Sequence, residues 1–375
     1  MTKKAKLLCI LHLAPPAHGA AKVGEFVANS QKLHHEFECK YITIRTSDSI
    51  ESLQRFSLKK LYYAVYLWVQ ILLTLLFFWP QKIYFTASVN GLAFYRDLSV
   101  SLLWKAYSVF TKVDIYYHYH TQGVDEFVAK SNMNLQLTRF LLNNVNLILL
   151  SPILLADFKK VPTYKQILYL PNGVEDGFGD EEFELYINDK FRNTGKTVNI
   201  LFLSNMIKSK GYFEVLELAK LSVGKNIHFN FAGAWQSKQD EAEFYEYIQN
   251  NNLEQTIKFL GFVNEQEKRK LLLESNLFVY PTKNDAFPLT ILEALSFGIP
   301  CISTPVGSIP YILNKDTGIM LTEEVDLPTA LIQALSAYND RSTALNCRQR
   351  FRENFTLTIF EDNLIDILKN QLTIY

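Results

Sequence analysis

Two successive series of short apolar runs, each run followed by a helical segment, constrain this chain more than any other feature. In the first half the candidate strands lie at 6–13, 41–45, 82–86, 114–118, 146–150 and 166–170, with helical patterns between them. The alternation restarts at Val198, with strand-like runs at 198–203, 227–232, 257–260, 277–280 and 301–303. Such alternation implies parallel sheets wound on both faces. At 375 residues the chain is also too long for one typical core. The expected fold is α/β, two doubly wound Rossmann-like domains facing across a cleft, with ligands beyond the strand C-termini. The expected division is a first domain at 1–174, an acidic, loop-like linker at 175–197, a second domain at 198–354 and a closing amphipathic helix within 355–375.

Composition narrows the function classes. Lys and Arg number 38, as do Asp and Glu, and 48% of residues are hydrophobic. A nucleic-acid binder would show a basic excess, so that class is set aside. Cys9, Cys39, Cys301 and Cys347 lack paired spacing, which indicates neither a disulfide framework nor a zinc site and points to a reducing compartment. Lys3, Lys4 and Lys6 before an apolar run mimic a secretory leader, but His12 interrupts the run and a first β-strand explains the same residues. Residues 61–80, LYYAVYLWVQILLTLLFFWP, carry no charge and reach the length of about 20 residues that spans a bilayer. If the strands on either side share one parallel sheet, the helix between them must bring the chain back to the same side of any membrane. A helix packed on the sheet and a helix lying in the bilayer interface both satisfy that condition. Upstream Arg55, Lys59 and Lys60, with Trp68 and Trp79, suit the interface.

The stretch 280–305, YPTKNDAFPLTILEALSFGIPCISTP, concentrates the chemistry. It reads as a buried strand, a loop bearing Asp285, a helix opened by Pro288, a stop at Gly298 and another strand. The helix is apolar on nearly every side except for Thr290, Glu293 and Ser296, which form one narrow stripe. A carboxylate in such surroundings needs a polar counterpart, either a ligand or a buried Lys or Arg. The helix N-terminus beside Asp285, with free N–H groups and a positive dipole end, suits a phosphate.

Acidic-x7-acidic followed by Gly-x-Pro resembles the signature of retaining family-4 glycosyltransferases of the GT-B fold, similar to bacterial capsular and exopolysaccharide enzymes. Here the first acid is Asp285 where the family's usual residue is Glu. The resemblance implies that Glu293 meets the donor's ribose hydroxyls and that Asp285 addresses the donor sugar. Phe287, Leu289 and Thr290 then line the donor. Lys210, in Ser209-Lys210-Gly211, corresponds to the family's Lys-Gly and implies a clamp on the donor diphosphate. The family's Arg five residues earlier is Asn205 here, which donates without charge, and Lys208 or a first-domain residue is the expected compensation. Leu260-Gly261-Phe262-Val263 corresponds to the turn against the nucleobase, contacted by backbone groups around Phe262 and Val263.

In the first domain the loop Pro15-Pro16-Ala17-His18-Gly19 follows the first strand and is neither a Walker loop nor G-x-G-x-x-G. The resemblance implies that Gly19 covers the donor diphosphate and that His18 faces the acceptor. His118 and His120 end a strand on one face, with Tyr117 and Tyr119 on the other. His120 aligns with the family's histidine and is the expected catalytic group with Asp285 and Lys210, while His118 is placed on the acceptor side. Two histidines without a third ligand are weak evidence for a metal, and no metal or cofactor is expected. Pro171-Asn172-Gly173-Val174 matches the family turn that closes the first domain.

The resemblance implies a retaining, metal-independent transfer of a sugar from a nucleotide donor, UDP-linked, to a hydroxyl of a lipid-linked or growing surface glycan. The expected setting is cytoplasmic, on the inner face of the cell membrane. No carboxylate pair declares itself for a double displacement. A sugar-nucleotide epimerase on the same fold and a catalytically silent, membrane-associated assembly subunit are the two alternatives.

Overall fold

The computed structural model describes residues 4–15, 19–45, 58–192, 197–337 and 340–371, with the side chains of 58–60 and 180 left aside. The described chain forms two compact units, Met1–Asn172 with Leu357–Tyr375, and Gly173–Thr356.

In the first unit six parallel strands stand in the order β2-β1-β3-β4-β5-β6. They are β1 (Ala5–Leu11), β2 (Phe37–Thr43), β3 (Lys82–Ala87), β4 (Asp114–Tyr119), β5 (Asn146–Leu149) and β6 (Gln166–Tyr169). The helices are α1 (Gly19–Asn29), α2 (Gln31–Glu36), α3 (Leu58–Phe77), α4 (Gly91–Phe110), α5 (Val124–Ala129) and α6 (Asn132–Leu142). Right-handed crossovers put helices on opposite faces when the order reverses, and it reverses between β1 and β3. Leu8, Ile10, Ile83, Phe85, Tyr117, Tyr119, Leu147 and Leu149 form one core with residues of α3, α4, α5 and α6. Tyr117 and Tyr119 therefore face away from His118, as strand alternation requires.

The apolar run at 61–80 resolves into a helix with two different faces. Leu67, Ile71 and Leu75, four residues apart, are buried in that core. The opposite face stays exposed and apolar, as at Val65, Leu73 and Phe77. Among the described residues no helix is long and apolar enough to cross a membrane.

The second sheet runs β12-β11-β10-β7-β8-β9. Its strands are β7 (Val198–Leu203), β8 (Ile227–Ala232), β9 (Ile257–Phe259), β10 (Leu277–Tyr280), β11 (Cys301–Ser303) and β12 (Gly318–Met320). Around it pack α7 (Asp180–Arg192), α8 (Tyr212–Lys220), α9 (Lys238–Asn250), α10 (Glu265–Glu274), α11 (Leu289–Ser296), α12 (Ile309–Ile312), α13 (Leu327–Ala337) and α14 (Arg341–Asn354). The stretch read as a loop-like linker instead contains α7. Its Phe183 and Ile187 are buried, and Arg348 of α14 reaches Asp176 in a fork at 2.6 and 2.8 Å. The acidic residues that made it look like a loop are the exposed positions of an amphipathic helix. The final helix, α15 (Leu357–Lys369), belongs to the first unit, where Lys32 meets Asp362 at 2.6 Å and Tyr116 donates to Asn370 at 2.8 Å.

Candidate active site

The second sheet reverses its order between β10 and β7, the place where open α/β sheets take ligands. The loops leaving these two strands carry Lys210 and Asp285. Gly211 turns the chain there with φ +89, and a Cβ on it would lie 2.4 Å from the carbonyl oxygen of Pro281. Only glycine lets the two loops come this close. Lys210 Nζ stands 2.6 Å from Asp285 Oδ2 and donates to the Asn284 carbonyl at 2.9 Å. Tyr280 donates its hydroxyl to the same Oδ2 at 2.8 Å, and the Phe287 N–H donates to Oδ1 at 3.2 Å. Burial, reinforced by the Asp285 charge, holds the Tyr280 hydroxyl well above its usual range, so it stays a donor. These five groups thus form one preset cluster.

Helix α11 begins at Leu289, after Pro288 with φ −69, and no side chain caps its first turn. Its polar stripe splits. Glu293 pairs with Lys268 of α10 at 2.5 Å, and each of these side chains is about a fifth exposed. Lys268 also meets Glu265 at 2.8 Å. Burial pulls the Lys268 ammonium down, but the two carboxylates outweigh it and its pKa lies above the usual value. Ser296 is buried and bonds back to the Glu293 carbonyl at 2.7 Å, so it serves the helix. Leu289 and Thr290 are half-buried. Phe287 is a correction: its ring is buried against Tyr311 and Phe355, which leaves only its backbone for a ligand. Phe262 is 71% exposed and Val263 half-exposed, on the turn after β9. Asn205 is half-buried on the loop after β7. Lys208 does not compensate for the missing Arg, because it pairs with Glu243 at 2.7 Å and Asp240 at 3.2 Å on α9.

In the first unit His118 and His120 leave β4 with ring centroids 4.0 Å apart. His118 is fully buried and its Nδ1 lies 2.5 Å from the Tyr84 hydroxyl. Burial, then the proximity of His120, pushes the His118 pKa well below 6.5, so its imidazole is neutral. A direct acceptor contact by His118 is thereby corrected: no surface of it is open, and it stands behind the half-buried His120. Gly19 is exposed at the start of α1, and among the described residues nothing lies within 4 Å of a Cβ built on it. His18 lies outside the described residues. Among the described residues no group of three His, Cys, Asp or Glu side chains is gathered as a metal site.

Sequence reasoning missed Tyr280, Tyr84 and Lys268. Tyr280 sits five residues before Asp285 and reads as a strand aromatic. Tyr84 meets His118 only through strand register, with Thr86 directly opposite His118. Lys268 follows a capping box at Asn264 and Glu267, which is a local signal for a helix start and not for a partner 25 residues away.

Residues 186–355 match the family model for Glycosyl transferases group 1. The capsular polysaccharide biosynthesis glycosyltransferase CapM of Staphylococcus aureus is 26% identical over 215 residues, 53% of this chain and 54% of that protein. N-acetyl-alpha-D-glucosaminyl L-malate synthase of Bacillus anthracis is 33% identical over 108 residues, 28% of each chain. The chain thus spans about half or less of the length of the curated relatives it matches. Among solved structures, sucrose-phosphate synthase of Thermosynechococcus elongatus superposes with a TM-score of 0.71 at 16% identity, covering 98% of this chain and 99% of that one. Anabaena HepE in complex with UDP and glucose gives 0.69 at 14% identity, covering 97% and 99%. The second unit thus carries the match to the glycosyl transferases group 1 family, and the two parallel six-stranded sheets are those of the GT-B fold.

Proposed function

We propose that this protein is a retaining glycosyltransferase that moves a sugar from a UDP-linked donor to a hydroxyl of a lipid-linked or growing surface polysaccharide. It works at the inner face of the cell membrane. The Lys210–Asp285 pair, 2.6 Å across the switch point of a sheet within the matched region, carries this reading. When a glycosyl–phosphate bond breaks, negative charge grows on the departing diphosphate. Donors already aimed at that charge stabilise it most. Lys210 and the uncapped N–H groups of α11 are such donors. A diphosphate that recruits the Lys210 ammonium frees an Asp285 oxygen to accept from a sugar hydroxyl, while Tyr280 keeps the carboxylate in place. Glu293, held by Lys268, addresses the ribose. His120, backed by neutral His118, takes the acceptor side. No metal or cofactor enters the proposal. The polysaccharide setting is supported by the name of the CapM relative, and the UDP donor by the ligands of the HepE complex.

The test is a melting curve of the purified chain against UDP, GDP, ADP, CDP and their sugars. Ligand at about 100 times its dissociation constant adds about 2.7 kcal/mol. We expect stabilisation by the UDP set, lost in Lys210→Ala and weakened in Glu293→Ala, with cooperative unfolding kept in both. Folded protein that no nucleotide stabilises overturns the reading.

A further inference from the structure

We infer that the outer surface of the α3–α4–α6 layer is a platform that seats the first unit in the headgroup region of an anionic membrane. This deepens the proposed function, from which it takes the membrane-side acceptor, but it rests on different residues. Most of the exposed large apolar side chains among the described residues lie on these three helices or at Trp79 beside them. On α4 the outward stripe runs Leu92, Tyr95, Ser99, Leu102, Ala106 and Phe110, at helical spacing and without a charge. Phe110 at its end is 86% exposed. The neighbouring α3 presents Val65, Leu73 and Phe77, and α6 presents Met133 and Phe140. Soluble surfaces rarely leave so continuous an apolar face to water.

Charge selects the occupant. The one acidic residue in the three helices is Asp97, which is fully buried. Arg96 forks onto it at 2.6 and 2.8 Å, and the Ser88 N–H adds a third bond at 2.7 Å, so the pair is consumed inside the fold. What remains on the layer is basic: Arg139, and Lys105, which reaches the Asn143 carbonyl and lies over the Phe140 ring. In a chain of zero net charge this bias is local. A second copy seated on the same face would bring like charges together, whereas anionic headgroups complement them. Trp68, Trp79 and Tyr95 are exposed on the same layer, and their rings prefer the interfacial depth. Because α3 and α4 follow β2 and β3, their N-terminal ends lie at the strand-end edge that carries Gly19 and His120. A lipid-borne acceptor would reach the sheet at that edge.

The test is co-sedimentation of the full chain with vesicles of phosphatidylcholine alone and of phosphatidylcholine mixed with phosphatidylglycerol, without sugar chemistry. We expect binding to the anionic vesicles and weaker binding to the neutral ones. Leu102→Glu with Phe110→Glu should lower the anionic binding roughly ten-fold or more, because charges placed on a lipid-facing surface oppose insertion. Melting should not change, since both side chains are exposed. Leu185→Glu, an exposed apolar position in the second unit, should bind like the unaltered chain. Absence of binding to either vesicle overturns the inference, as does a double variant that binds undiminished. A lipid-free dimer dissociated by the double variant overturns it in favour of a second copy. Vesicle binding without nucleotide binding would sink only the enzymatic reading, and the reverse only the platform.

Discussion

His118 shows how one side chain combines stability with the site. It is fully buried, its Nδ1 is tied to the Tyr84 hydroxyl at 2.5 Å, and its ring lies against His120. A buried imidazole has to stay neutral, because charging it would forfeit hydration with no carboxylate to repay the loss. The sign of the linkage follows. The unfolded chain takes up a proton near 6.5 that the native state refuses. Stability is therefore present above pH 6.5 and is lost as the pH falls below it. Urea unfolding between pH 6.5 and 5 should show stability falling by up to about 1.4 kcal/mol per pH unit for this one proton. In His118→Gln that contribution should vanish and the acid slope should be shallower. Equal slopes would mean that His118 is protonated in the folded state. Sequence placed the two histidines on one strand face, which is correct, but it could not tell which is open. That depends on Tyr84, 34 residues earlier on the neighbouring strand.

Elements set the site through backbone approach. Gly307 follows β11 with φ +57, and a Cβ on it would lie 2.0 Å from the Asp285 carbonyl oxygen. The next N–H, from Ser308, donates to the Ala286 carbonyl at 2.8 Å. Gly307→Ala should therefore both strain the turn, at about 1–3 kcal/mol, and displace the loop that aims Asp285 at Lys210. Chemical denaturation and nucleotide binding should both suffer. Gly19→Ala offers the contrast, because among the described residues nothing lies within 4 Å of a Cβ placed there. It should melt like the unaltered chain, so any lost activity would report on substrate. The inner strands of the second sheet were readable from their apolar residues, and 198–203, 227–232 and 277–280 lie where the pattern put them. β2 begins at Phe37, four residues before its expected start. It is an edge strand whose exposed Glu38 and Lys40 alternate with buried Phe37 and half-buried Cys39 and Tyr41 and broke the run. β12 was not anticipated at all. Three residues at a sheet edge carry too little pattern, and their pairing with Cys301–Ser303 is a matter of register alone. The Asp285–Glu293 spacing was plain in the sequence. Their partners Lys210 and Lys268 come from other elements, and of these only Lys210 had a local motif to mark it.

At the scale of the whole molecule the chain order and the unit order differ. The second unit, Gly173–Thr356, is continuous, whereas the first is completed by residues after Thr356. Helix α15 buries Phe360, Leu364, Ile365, Ile367 and Leu368. Its charged face is pinned to the first unit, Asp362 to Lys32 and Lys369 to Glu36. Burying five such side chains is worth roughly 7–15 kcal/mol at about 1.5–3 kcal/mol each. That is as large as the whole stability of a typical domain, about 5–15 kcal/mol. The surface ion pairs add little beside it. A chain ending at Thr356 should therefore lose the cooperative unfolding of its first unit, while the second keeps its own transition. Nucleotide binding should survive, because Lys210, Asp285, Lys268 and Glu293 all lie within Gly173–Thr356. Calorimetry of the shortened chain with and without UDP checks both parts. If both units melt as before, the apolar face of α15 contributes far less than its burial implies. If the nucleotide no longer binds, the donor site needs the first unit as well as the second.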